Sequence, residues 1–311
     1  MQPDYLHNHP EFSSLTRIVG ELKSINPTLI EKDYWIMHCL YGLQKLDLAF
    51  EIKGGTSLSK GYGLIRRFSE DIDLRIKPPE EMGVKFGKNH DKPIHRESRE
   101  KFYSWLVQTI KIDGIVEARR DTSFDDKKAR NAGVQLRYSS DDDEIESGIL
   151  LEVGFDDVKP NEPIDISSWA YEFAADKVEI IDNRAKDVAC YHPGYTFVEK
   201  LQAISTKYRQ QQKDSSSPSN FMRHYYDVYC LLQSRTVLDF IGTENYKAHK
   251  EKRFRQGDNL TIADNEAFLL SDPKIYQTYK QAYQSTRGLY YEGQPDFEEI
   301  MGLIKTYINR L

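Results

Sequence analysis

The segment from Lys53 to Leu74, KGGTSLSKGYGLIRRFSEDIDL, constrains the fold more than any other part of the chain. LAFEIK (48–53) reads as a short strand that stops at Gly54-Gly55, and Thr56-Ser57 then open a helical stretch, TSLSKGYGLI. Further on, DIDLRI (71–76) alternates strictly, with Ile72, Leu74 and Ile76 on one face and Asp71, Asp73 and Arg75 on the other. A glycine pair between a strand and a helix start lets backbone N–H groups approach a phosphate closely, and the helix end adds favourable partial charge. Two carboxylates two residues apart on a strand share a face, roughly 7 Å apart by strand rise. That separation suits oxygen ligands for magnesium ions that also hold a triphosphate. No GxxxxGK[ST] occurs, which disfavours a P-loop NTPase. Two glycines before a serine are common in turns, and an isolated Asp-x-Asp is usually a solvated strand face. Joined in this order, with apolar alternation around the aspartates, they point to a nucleotide site.

The rest of the chain divides by pattern. Phe12, Leu15, Ile18, Val19 and Leu22 make one helical stripe. A second helix starts near 26–28, with Pro27 in its first turn or Thr28 and Glu31 as a capping box, and its apolar face is Ile30, Tyr34, Met37 and Tyr41. Residues 77–95 form an excursion rich in Pro, Gly, Lys and His, followed by a helix around 96–112. VQLRY (134–138) and ILLEVGF (149–155) make a hairpin whose turn is the acidic run 139–147. Beyond about 190 only helical spacing remains, in Phe197, Leu201, Ile204 and Tyr208, in Tyr225, Val228 and Leu232, and in Phe297, Ile300, Ile304 and Ile308. QQQKDSSSPSN (210–220) reads as a mobile loop. The expectation is an α+β protein: residues 1–188 with a mixed sheet flanked by helices, then a helical bundle over 189–311.

Composition narrows the function classes. No run approaches 18 consecutive apolar residues, which argues against a membrane span. MQPDYLHNHPEFSS lacks the features of a secretory signal, and Cys39, Cys190 and Cys230 lie far apart without a CxxC pair; both predict a reducing, cytoplasmic setting. The net charge of −6 argues against indiscriminate nucleic-acid binding, yet it hides an asymmetry. Residues 141–187 hold 15 acidic and 4 basic side chains, whereas 199–255 hold 11 basic and 6 acidic, so a polyanion would approach from the second stretch.

GGTSLSKGYGLIRRFSEDIDL resembles the motif of the AbiEii-type nucleotidyltransferase toxins, within the polymerase-β-like nucleotidyltransferase superfamily. Glu31-Lys32-Asp33-Tyr34-Trp35, FVEKLQAI (197–204) and RHYYDVY (223–229) also match family stretches, so the resemblance covers roughly 30–230. It implies that Gly54, Gly55, Thr56 and Ser57 hold the triphosphate of an NTP, that Asp71 and Asp73 bind magnesium in a two-ion site, that Lys200 contacts phosphate, and that Asp227 completes the site from the helical half, which would contribute to the active-site cleft. The family pattern has an acid directly after the arginine of the last motif, where this chain has His224. Superfamily enzymes often add a third carboxylate from a neighbouring strand. Glu152, which interrupts the apolar ILLEVGF, is the candidate, with a solvent-facing edge position as its other reading. Asp227 has a structural reading too, as the partner of Arg223 one helical turn earlier.

The resemblance further implies a toxin of a bacterial toxin–antitoxin or abortive-infection system, with a cognate antitoxin and tRNA or another RNA as acceptor. Two readings stand beside it: an enzyme of the same fold acting on a protein or a small hydroxylated molecule, and a non-catalytic binding member. The intact Gly54, Gly55, Ser57, Asp71 and Asp73 argue against the last. His7 with His9, and His90 with His95, lack the further ligands of a metal site and read as surface residues. Tyr276, Tyr279, Tyr283 and Tyr290 read as packing between helices, and KAHKEKRFR (247–255) as a solvated face able to steer a polyanion.

Overall fold

Strict alternation places β2 (Asp71–Ile76) at the centre of a seven-stranded sheet, with Ile72, Leu74 and Ile76 fully buried and the three charged residues half-buried. The computed structural model describes residues 2–69, 71–87, 89–139, 148–214, 218 and 221–311. The other strands are β1 (Phe50–Lys53), β3 (Ile115–Asp121), β4 (Asn131–Tyr138), β5 (Gly148–Gly154), β6 (Asn161–Ile166) and β7 (Ala185–Tyr191), in the order β3-β4-β5-β2-β1-β7-β6. β2 runs antiparallel to β1 and parallel to β5, and β1 runs parallel to β7, so the sheet is mixed as expected. β4 and β5 form the expected antiparallel hairpin, while 140–147 of its acidic turn lie outside the described residues. The pattern of the sequence missed β3, β6 and β7. β3 and β6 are the two edges, where half-exposed polar residues leave no clean apolar face.

One face of the sheet packs against α2 (Pro27–Lys45) and α4 (Pro93–Thr109). α2 begins with Pro27 in its first turn and the Asn26 side chain accepting the Thr28 N–H, so the Thr28–Glu31 capping box is not used. It is buried on nearly every side, including Ile30, Tyr34 and Met37 of the expected face. α1 (Phe12–Lys23) differs from expectation. It meets α2 through Thr16, Val19 and Gly20, small enough for close approach, and this leaves Ile18 and Leu22 48% and 68% exposed. α3 (Gly54–Thr56) continues as a wider helical turn only to Gly61, shorter than the stretch expected from sequence. α5 (Trp169–Ala174) follows β6, capped by the Ser168 hydroxyl.

These elements belong to a first unit, residues 1–61 and 69–191. The second unit is residues 192–311 together with 62–68, so the chain leaves the first unit inside the motif itself and returns to it before β2. No composition shift marks that excursion. In the second unit α6 (Pro193–Asp214) is the central helix. α7 (Met222–Leu231), α8 (Arg235–Phe240), α9 (Glu244–Arg253) and α10 (Glu266–Leu269) pack on it. α11 (Pro273–Gln284) and α12 (Phe297–Tyr307) pack on α7. α6 extends through Asp214, so the first part of QQQKDSSSPSN is helix rather than loop; 215–217, 219 and 220 lie outside the described residues. Tyr225, Tyr279, Tyr283 and Phe297 fill the interior edge-to-ring, the packing use expected for the tyrosines. Residues 62–68 join this unit through the Phe68 N–H, which donates to the Leu289 carbonyl at 2.8 Å, and an antiparallel bridge of Arg67 with Tyr290.

Candidate active site

Strand register builds the site on the sheet face opposite the core. β1 pairs Lys53 with Asp73, β5 pairs Glu152 with the same Asp73, and paired residues share a face. Lys53, Asp73 and Glu152 therefore form one row across three adjacent strands, and Asp71 lies two residues along β2 on that face. All three carboxylates are half-buried, neither in the core nor fully in water. The Lys53 ammonium is held at 3.0 Å by Asp156 from the segment after β5. Glu152 thus stands beside Asp73, not at a sheet edge. Among the described residues no three His, Cys, Asp or Glu side chains are gathered closely enough to hold a metal ion as they stand.

The glycine turn is fitted to this row. Gly54 has φ +67°, and a Cβ there would lie 1.8 Å from Asp73 Oδ2, so neither the backbone nor the space admits a side chain. The Thr56 hydroxyl donates to the Asp71 carbonyl at 2.6 Å, fastening the turn to the start of β2. Ser57 is fully buried against Cys190, whose thiol is pushed up to about 12 by burial despite the Ser57 hydroxyl. Gly55, Thr56 and Ser57 are all buried and only Gly54 is half-exposed. In this conformation the Thr56 hydroxyl serves the turn and the Ser57 hydroxyl is buried. A buried pair braces the same turn. Lys60 reaches Asp33 of α2 at 2.7 Å, and the other Asp33 oxygen accepts the Trp169 N–H at 2.8 Å. Burial raises the Asp33 carboxyl even against Lys60. This gives Asp33 of the Glu31–Trp35 stretch a structural use.

In the second unit Asp227 is fully buried and fully engaged. Arg67 grips it with two parallel bonds, Nε to Oδ1 at 2.7 Å and a terminal nitrogen to Oδ2 at 2.8 Å, and the Lys200 ammonium lies 2.9 Å from Oδ2. Burial alone would raise this carboxyl, but Arg67 and Lys200 hold it well below the usual carboxylate range. His224 Nδ1 is 4.0 Å away, and burial, reinforced by Lys200, pushes its imidazole down to about 3, so it is neutral near pH 7. The partner of Asp227 is thus Arg67, not the expected Arg223. Both Asp227 oxygens are taken by cations of the same unit. Sequence reasoning missed Arg67, although it lies in the LIRRF stretch of the motif.

A family model for the nucleotidyl transferase AbiEii toxin, of type IV toxin–antitoxin systems, matches residues 37–302. The chain belongs to the AbiEii nucleotidyltransferase toxin family. Among solved structures it is similar to a candidate nucleotidyltransferase from H. pylori, at 15% identity over 91% of this chain and 94% of that one, with a TM-score of 0.49. A second Helicobacter pylori protein gives 14%, 85%, 97% and 0.38. A nucleotidyltransferase-like antigenic protein of Paracoccidioides brasiliensis gives 12%, 80%, 93% and 0.33. No curated protein matches the chain in sequence.

Membership of the AbiEii family bears out the resemblance read from the motif block and makes the chain a nucleotidyltransferase of toxin type. It implies a nucleotide substrate and an antitoxin partner. Among the described residues no helix is long and apolar enough to cross a membrane. The histidines part company with expectation at one point. His7 is buried, bonded to the Tyr34 hydroxyl and to Asp113 at 2.8 Å each, where it ties the N-terminal segment to α2. His90 and His95 pair ring to ring at 4.9 Å.

Proposed function

We propose that the protein transfers a nucleotide from an NTP to a hydroxyl of RNA, tRNA included, in a magnesium-dependent reaction on the polar face of β1, β2 and β5. The observation that carries this reading is the pairing of Asp73 with Glu152 beside a glycine at which any side chain would collide with the Asp73 carboxylate. The donor chemistry fits magnesium: Asp71, Asp73 and Glu152 offer hard, half-exposed oxygens on one face, and Mg²⁺ takes one or two carboxylates with water and substrate phosphates. When bound, the metal would neutralise phosphate charge and lower the pKa of the attacking hydroxyl. The protein's own part is to hold the three carboxylates in register and to keep Gly54 bare, so that the Asp73 carboxylate can lie against the turn.

For the helical unit we propose that Asp227 is a positioning residue and Lys200 the cation that meets phosphate. Two cations surround a single carboxylate there, and the nearby His224 is neutral, so positive charge is left over at Lys200. The test is a transfer assay with purified protein, magnesium, each α-labelled NTP in turn and total RNA. Label should pass to RNA from a preferred NTP, vanish on chelation, and vanish in Asp71→Ala. Label on protein or a small hydroxylated molecule instead would replace the RNA acceptor. Unchanged transfer by Asp71→Ala would remove the carboxylate row from the mechanism.

A further inference from the structure

The same sheet face carries a second feature. Two residues along β1 and β2 from Lys53 and Asp73, a step of about 7 Å, the paired Glu51 and Arg75 form the floor of a cavity of about 540 Å³. Its walls come from the segments after β2 and after β5, with Phe86 and Phe155 stacked at 5.0 Å and nearly parallel, and with Lys85 and Lys159. The segment bearing Lys85 and Phe86 is fixed from beneath. The buried Arg99 of α4 donates to the carbonyls of Lys85, at 2.6 Å, and His90, and its other nitrogens bond the Lys128 carbonyl. The segment bearing Lys85 and Phe86 is therefore a built wall.

Charge and shape together select the ligand. Glu51 is spent on Arg75 at 2.8 Å and on the Asn161 amide at 3.0 Å, and Glu80 lies 3.5 Å from Lys77. Lys85 and Lys159 are exposed and make no ion pair among the described residues, so the cavity rim is positive. Phe50, Phe86 and Phe155 are half-buried, leaving ring surface to be covered. Flat ring faces next to spare ammonium groups match a base and its phosphate, and the volume falls within the range of small-ligand sites, roughly 300–1,000 Å³.

We propose that this cavity is the subsite for one nucleotide of a single-stranded RNA acceptor, with its base against the Phe86–Phe155 pair and its phosphate between Lys85 and Lys159. This rests on the reading of RNA as acceptor. The probe is a fluorescent single-stranded hexaribonucleotide whose binding to the full chain is followed by anisotropy across a salt series, with no turnover required. The Lys85→Ala/Lys159→Ala variant, which disturbs only exposed side chains, should bind it more weakly and lower the salt slope by about 0.7, the value for one phosphate neutralised on a single strand. Phe86→Ala should weaken binding roughly fivefold or more. NTP affinity of the lysine variant should stay within about twofold of wild type, because point charges of this kind act locally at physiological salt. Equal hexanucleotide affinity and slope in wild type and lysine variant overturn the subsite, as does a loss of NTP affinity that matches the loss of RNA affinity. Lysine-dependent binding in a protein that labels no RNA keeps the cavity as a nucleotide site and overturns its acceptor role, which separates the two failures.

Discussion

The protein carries two sets of acidic residues that sequence alone treats alike, and their surroundings suit them to opposite uses. On the sheet, Asp71, Asp73 and Glu152 share a half-exposed face, with a single lysine in their row that is itself held by Asp156. In the helical unit Asp227 is sealed off, with Arg67 and Lys200 on its oxygens. A half-open carboxylate retains lone pairs for a ligand at little desolvation cost. A buried one survives only when fully paired, and then its worth lies in what it holds. The lesson is that exposure and saturation, more than residue type, separate ligand-facing acids from structural ones.

Conservative amides should break the two sets in different ways. Asp73→Asn is expected to lower transfer roughly 10³-fold, the several kcal/mol attributed to metal-borne charge stabilisation, while urea unfolding moves little because the side chain is half-exposed. Asp227→Asn should do the reverse in first effect, costing about 3–5 kcal/mol of stability by leaving two cations without their counter-charge. Adding Arg67→Met should restore part of that loss, since only Lys200, with its side chain 11% exposed, then lacks a partner. Equal stability of Asp227→Asn and wild type would return Asp227 to the list of ligand-facing acids. A smaller effect is expected at the glycine turn. Gly54→Ala forces a side chain into a left-handed conformation that costs roughly 1–2 kcal/mol and pushes it against Asp73, so transfer should fall more than stability does. A variant that keeps full transfer would show that the close approach is not used.

What could be read from the sequence follows the range of each interaction. DIDLRI announced its faces because alternation is local, and the β4–β5 hairpin followed from two apolar runs around a polar turn. Glu152 could be picked out as a lone acid in an apolar strand, but not its pairing with Asp73, which depends on a parallel register 79 residues apart. Arg67 and Asp227 are 160 residues apart, and nothing local marks them as partners. The inward turn of the Thr56 and Ser57 hydroxyls was equally hidden. The Gly-Gly-Thr-Ser pattern is the same whether the hydroxyls face a phosphate or the core, and here Asp71 and Cys190 decide it.

The sharpest test of the sealed site is acid. Burial pushes His224 down to about 3 and His38 of the first unit down to about 4, against about 6.5 in an unfolded chain. Between pH 6.5 and 4 the unfolded chain therefore binds protons that the native one refuses, so stability falls as pH falls, by at most about 1.4 kcal/mol per pH unit for each imidazole. Asp227 acts in the same sense but at lower pH. Its folded pKa is depressed, so its contribution is present above about pH 4 and is lost only on further acidification through the folded value. The two groups thus act in separate windows. Urea unfolding of wild type and His224→Gln at pH 6.5, 5.5 and 4.5 should give a steeper decline for wild type, whereas below pH 4 both should lose stability together. Parallel curves between 6.5 and 4.5 would mean that His224 is hydrated or already charged, and then the surplus positive charge beside Asp227 would include the imidazole as well as Lys200.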